Sequence, residues 1–129
     1  MNAKRIADFI ITEGDGTYTE RNRVNLIKNI QLHIEDGTII VLEDSSIKAV
    51  LTYHPIEYPK KIYVCDATVK KDQRRASAVS ELLRELADKC PEAEKVVYEW
   101  ERNDENDISV LDLNRFKKGE TQMKEINNG

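Results

Sequence analysis

Ile62-Tyr63-Val64-Cys65-Asp66-Ala67-Thr68-Val69 runs without a linker into Lys70-Lys71-Asp72-Gln73-Arg74-Arg75, and Val79, Leu82, Leu83, Leu86 and Cys90 then recur at helical spacing until Pro91. The first segment has the apolar density of a buried strand, and the second carries four cations in six residues. The third is an amphipathic helix that proline stops. A helix opening near Asp72 or Gln73 points its unpaired backbone N–H groups into the same turn that holds Lys70, Lys71, Arg74 and Arg75. Both features favour an anion such as phosphate. The plain reading of the same turn is a solvated loop with good helix-start chemistry, and the sequence leaves the two side by side.

Outward from this stretch, the chain reads as one unit. Its 129 residues fit a single domain (1–129) with room for a hydrophobic core. With 40% hydrophobic and 34% charged residues, and only five glycines and three prolines, it has the composition of an ordered globule. A net charge of −4 excludes a broad nucleic-acid surface, so the cluster of Lys60, Lys61, Lys70, Lys71, Arg74 and Arg75 is a site-sized feature. No apolar run reaches the length of a membrane span and no signal-peptide core follows Met1, so the expected location is the cytoplasm. Cys65 and Cys90 are expected to be buried thiols. His33 and His54 have no partner at metal or triad spacing, and no metal is expected.

The remaining elements follow from periodicity and turn chemistry. Ile6, Phe9 and Ile10 predict a first helix, ended by Glu13-Gly14-Asp15-Gly16. Thr19 is the expected N-cap of a second helix whose apolar stripe is Val24, Ile27, Ile30 and Ile34, up to the break at Asp36-Gly37. Residues 38–42 and 47–53 predict a hairpin across Glu43-Asp44-Ser45-Ser46. Strands at 61–69 and 95–100 flank the helix expected from about 73 to 89, and a last helix is expected from about 104 to 115. The sum is an α/β (α+β) chain with a β-α-β core. The sheet is expected to be mixed, with helices on both faces and a right-handed crossover.

Residues 67–83, from Ala67-Thr68-Val69 through Arg74-Arg75-Ala76-Ser77 to Leu82-Leu83, resemble the central motif of the GNAT family of N-acetyltransferases. There a strand ending in hydrophobic-x-Val is followed by Arg/Gln-x-x-Gly-x-Gly/Ala and a helix with paired leucines. Val96-Val97-Tyr98-Glu99-Trp100 resembles the family's next strand, and residues 104–116 its last helix and the phenylalanine after it. The resemblance implies a mostly antiparallel GNAT-like sheet and an acetyl-CoA or CoA site. Thr68 and Val69 would lie beside the thioester, and the backbone of Arg74, Arg75, Ala76, Ser77, Ala78 and Val79 would hold the pyrophosphate. Asp66 is then the candidate general base for a primary amine, which must lose a proton before it attacks. The family's two small positions fall here on Ser77 and Val79. Its usual tyrosine on the last helix falls on Leu111, or on Val110 with a shift of one, which would leave the acid role to Tyr98 or a water. Thirteen residues follow Phe116, enough for one strand at about 121–126. Two readings stand together: an acetyl-CoA-dependent N-acyltransferase acting on a small-molecule or protein amine, and a catalytically silent GNAT-fold module, for example phage-type. The second would bind a protein partner or assemble as a homo-oligomer.

Overall fold

The structure is a computed structural model that describes residues 1–56, 61–102 and 105–117. Helix α1 (Ala3–Glu13) opens where the Asn2 side chain accepts the Arg5 amide at 3.1 Å, and it buries Ala3, Ile6, Ala7 and Ile10 along one face. It ends at Gly14, whose amide donates to the Ile10 carbonyl oxygen at 2.9 Å. A Cβ at Gly14 would stand 2.5 Å from that oxygen, so only glycine fits the stop. Thr19 and Asn22 form a capping box around a short 3-10 turn, Glu20–Asn22, and α2 (Arg23–Asp36) continues from it.

The second helix differs from the expected stripe at one end. Leu26 and Ile30 are its buried residues, Ile27 and Ile34 pack partly buried against the same cluster, and Val24 is 65% exposed. At about 100° per residue, positions 26, 27, 30 and 34 fall on one arc of about 100°, and Val24 lies roughly 60° beyond its edge. Gly37, at φ +70°, closes α2 in the left-handed region. A Cβ there would meet nothing within 4 Å, so Gly37→Ala carries a conformational cost alone. We expect a loss of about 1–2 kcal/mol, read as a lower urea midpoint with an unchanged denaturant slope.

Strands β1 (Ile39–Glu43) and β2 (Ile47–Ile56) form the expected hairpin, antiparallel from Ile39↔Thr52 to Leu42↔Ala49 with a register shift before Glu43↔Ile47. Strand β3 (Lys61–Val69) has the expected bounds, and α3 (Arg75–Lys89) opens two residues later than expected because residues 70–74 are used by a turn closed from the Gln73 amide to the Lys70 carbonyl (3.0 Å). Strands β4 (Lys95–Arg102) and β5 (Glu105–Asp112) complete a five-stranded sheet of order β1-β2-β3-β4-β5, mixed and mostly antiparallel. Its parallel pairs join β3 to β4 from Lys61↔Lys95 to Val64↔Tyr98, and β3 runs on for five residues past the last of them.

The chain groups into two compact units, residues 1–53 with 66–82 and residues 54–65 with 83 onward. In the first, Ile6 and Ile10 of α1, Leu26 and Ile30 of α2, and Ile39, Ile47 and Val50 of the hairpin form one buried cluster. In the second, Ile62, Leu83, Leu86, Ala93, Val96 and Leu113 are buried, and the Leu113 amide donates to the Glu94 carbonyl oxygen at 2.9 Å. No helix among the described residues is long and apolar enough to cross a membrane.

The helix expected over 104–115 does not form. Asp104 lies outside the described residues; from Glu105 onward the chain is β5 followed by a 3-10 turn, Leu113–Phe116, and β5 pairs with β4 along its whole length, from Lys95↔Asp112 to Arg102↔Glu105. Ile108, Ser109 and Val110 alternate in the strand manner with β-branched residues, and only two positions separate Arg102 from Glu105. Asp112 caps that 3-10 turn: its side chain accepts the Asn114 amide at 3.0 Å. Lys60 and the strand expected at 121–126 lie outside the described residues.

Candidate functional site

The end of β3, the basic turn after it and the α1–α2 loop all belong to the first unit, and they enclose a cavity of about 440 Å³. Asp66, Thr68 and Val69 line it from β3, Lys70, Lys71, Gln73 and Arg75 from the turn and the start of α3, and Gly14, Asp15, Thr17 and Tyr18 from the loop. Ala67 lines it as well, so the last four residues of β3 all border the cavity; Thr68 and Val69 are largely buried, Asp66 is half-buried and Ala67 is exposed.

Asp66 is the chemically distinctive group. Its Oδ2 accepts a hydrogen bond from the Tyr18 hydroxyl at 2.7 Å. Burial pushes the Asp66 carboxyl above the usual carboxylate range, and the nearby Asp15 adds to the push. Tyr18's hydrogen bond and the charge of His33 act the other way. Asp15 is held low, because Thr17 donates to its Oδ1 from both hydroxyl (2.5 Å) and amide (3.0 Å), with a further contribution from Arg75. Two carboxylates thus meet one cavity with their proton affinities pushed apart.

The basic turn is used differently from the expectation of four converging cations. The Lys71 amide donates to Glu13 Oε2 (3.1 Å) and its Nζ to the Thr12 carbonyl oxygen (3.2 Å), which ties the turn to the C-terminal end of α1. Cations at that end also complement the helix dipole. Lys70 pairs with Asp72 at 3.5 Å, and its amide donates to the Lys48 carbonyl oxygen at 2.8 Å. Arg75 lines the cavity, whereas Arg74 is exposed outside its lining. Ala76 and Ser77 are exposed, Val79 is half-buried and Ala78 is buried, all outside the lining. The Ala78 amide closes the first turn of α3 onto the Arg74 carbonyl (3.1 Å). The amides of Arg75, Ala76 and Ser77 precede that bond, where a helix offers no acceptor of its own.

Of the expected site residues, Asp66, Thr68, Val69 and Arg75 line this cavity, and Arg74, Ala76, Ser77, Ala78 and Val79 do not. Glu13, Asp15, Thr17 and Tyr18 were missed. Tyr18 carried no local signal, because it reaches Asp66 from 48 residues away.

No protein-family model matches the sequence, and no curated protein matches it. Two solved structures match the fold. One is assigned as an acetyltransferase of the GNAT family from Desulfovibrio desulfuricans, at a TM-score of 0.57 and 13% identity over 78% of this chain and 69% of that one. The other is the apo form of FdhC, a nucleotide-linked sugar GNAT, at a TM-score of 0.58 and 15% identity over 95% of this chain and 88% of that one. The chain has the GNAT fold. It departs from the resemblance that pointed there in one respect: Val110 and Leu111 lie in β5, paired with Val97 and Val96, so the expected correspondence with a tyrosine-bearing last helix does not hold.

Proposed function

We propose that this protein is an acetyl-CoA-dependent N-acyltransferase acting on a primary amine, with Asp66 as its general base. The observation that carries this reading is a half-buried carboxylate, raised in proton affinity, in a cavity that also holds Arg75 at the first turn of α3. A base of this kind lies nearer working pH than an ordinary aspartate and is the better match for an ammonium proton. The residues fit the cofactor: Ser77 is exposed, and Val79, which replaces a small family residue, points no side chain into the cavity lining. Arg75 and the amides of Arg75, Ala76 and Ser77 would hold its phosphates. Acetyl-CoA would supply a thioester acyl group: the C–S bond breaks as the C–N bond forms, and the proton that the attacking nitrogen sheds on acylation passes through water to the sulfur, so that CoA leaves as the thiol. Asp66 takes the proton that the ammonium must lose. Thr68 and Val69, buried on the same strand, keep water from the acyl carbon.

One observation favours a second reading, a GNAT-fold module that binds a partner or itself without turnover. A β-hairpin occupies the position where the family's tyrosine-bearing helix was expected, and β1 lies at an edge of the sheet where another strand can add. Calorimetric titration of the purified protein with CoA and acetyl-CoA separates the two. Under the enzyme reading, wild type binds at micromolar level, and Arg74→Ala/Arg75→Ala weakens binding at least tenfold, mostly through Arg75, consistent with losing charge-assisted bonds of about 1.5–3 kcal/mol. A folded wild type that binds neither ligand sinks the enzyme reading.

A further inference from the structure

Tyr18 lines the same cavity, and the reaction as set out gives it no task. Its loop is fixed on both sides of it. Asp15 accepts the Thr17 amide and hydroxyl, and the Thr19 amide donates to Asn22 Oδ1 at 2.9 Å. The Tyr18 side chain packs, partly buried, against the apolar cluster of the first unit. Ring and loop are thus both held, and the hydroxyl at the far end reaches Asp66 Oδ2 at 2.7 Å across a sequence separation of 48 residues. A tyrosine held in this way costs little conformational entropy to place, since it has only two side-chain torsions. Among the described residues no hydrogen bond is made to Asp66 Oδ1.

We infer that Tyr18 is the positioning residue of Asp66: its hydroxyl fixes Oδ2, so that Oδ1 is the oxygen presented to the acceptor ammonium. This rests on the reading of Asp66 as general base. Tyr18 thereby places the α1–α2 loop beside the proposed base.

The charges around Asp66 come from four directions, one of them Glu13 of α1, which lines the same cavity. His33 of α2, whose Nδ1 is hydrogen-bonded with Thr38 Oγ1 at 2.7 Å, favours the ionised carboxylate, and Asp15 of the loop opposes it. Lys70, Lys71 and Arg75 line the same cavity. Within this set Tyr18 is a neutral donor in direct contact, so Tyr18→Phe removes the hydrogen bond and leaves every formal charge in place. The carboxylate loses a bond made to its ionised form, and its proton affinity rises further.

The test uses the full chain with carboxyl-labelled aspartate and follows the Asp66 resonance against pH in wild type and Tyr18→Phe. We expect Asp66 to titrate at higher pH in the variant. In an acetyl-transfer assay, the acid limb of kcat/KM should move to higher pH by the same interval, and the alkaline plateau should fall because Oδ1 is no longer held toward the ammonium. A role in packing alone would lower the plateau and leave the limb where it was. Thermal unfolding checks that the variant is folded. If it is not, the reciprocal pair decides: in Asp66→Asn the Tyr18 hydroxyl, followed by a ring-carbon label, should titrate at lower pH because a neighbouring negative charge has gone. An unchanged Asp66 titration in folded Tyr18→Phe, or an unchanged Tyr18 titration in Asp66→Asn, overturns the inference. A shifted Asp66 titration in a wild-type protein that transfers no acetyl group overturns the base reading and leaves the hydrogen-bonded clamp standing.

Discussion

Asp66→Asn should lower acetyl transfer by about 100- to 10,000-fold, the usual consequence of removing a positioned base, while CoA affinity stays at the wild-type value. Asparagine is close in size to aspartate, and its carbonyl oxygen can still accept from the Tyr18 hydroxyl, so the cavity keeps its shape. What changes is the ability to take a proton. The same substitution makes a statement about stability whose sign can be worked out. The folded protein holds the Asp66 proton more tightly than the unfolded chain does, because burial raises its affinity. As pH rises from the ordinary carboxylate range through the raised value, the folded state therefore loses stability relative to the unfolded one, and above that range the whole difference is present. Asparagine has no such dependence. At neutral pH Asp66→Asn should unfold at the same temperature as wild type or higher, and the gap should close as pH falls below the ordinary aspartate range. A variant that is inactive and no less stable marks a group kept for chemistry. One that is destabilised at every pH would mark Asp66 as a structural hydrogen-bonding residue and remove it from the mechanism.

The parts of this site that were legible in the sequence are those in which neighbours in sequence are neighbours in space. The strand at 61–69, the turn and the amphipathic helix each announce themselves by local pattern, and the fold follows from their order. Tyr18 meets Asp66 across 48 residues, and no local pattern reports such a contact. Lys71 shows the same limit in another form. Its charge was read correctly as part of a basic cluster, but its amide and Nζ are engaged by α1, a partner 58 or 59 residues away. The region from 104 to 115 was misread for a different reason. A helix was expected there because residues 104–116 resemble the family's last helix, and that expectation gave way to pairing of β5 with β4 over eight register positions. Hydrogen bonds to a neighbouring strand can override propensities worth only tenths of a kcal/mol per residue.

Ile30→Ala should cost the first unit about 2–5 kcal/mol of stability. Ile30 is 1% exposed, and the cluster around it joins α1, α2 and the β1–β2 hairpin through Ile6, Ile10, Leu26, Ile39, Ile47 and Val50. Truncation removes apolar contact and leaves a space that surrounding residues from three different elements cannot all close. A typical domain has only about 5–15 kcal/mol in total, so this loss is a large share of it. Denaturant unfolding should show a much lower midpoint with a similar slope. Val24→Ala, on the solvent side of the same helix, should stay within about 0.5 kcal/mol of wild type. The pair also separates the buried face seen in the structure from the stripe read in the sequence, which placed both residues inside. The consequence for the site is direct, because Ile10 belongs to this cluster and also lines the cavity, and Tyr18 packs against it. Ile30→Ala should therefore broaden the Tyr18 and Asp66 resonances even at temperatures where the protein remains folded, whereas Asp66→Asn should leave the cluster sharp. If Ile30→Ala left both stability and those resonances unchanged, the apolar cluster would not be what holds Tyr18 in place, and the clamp on Asp66 would have to be sustained by the loop's own hydrogen bonds.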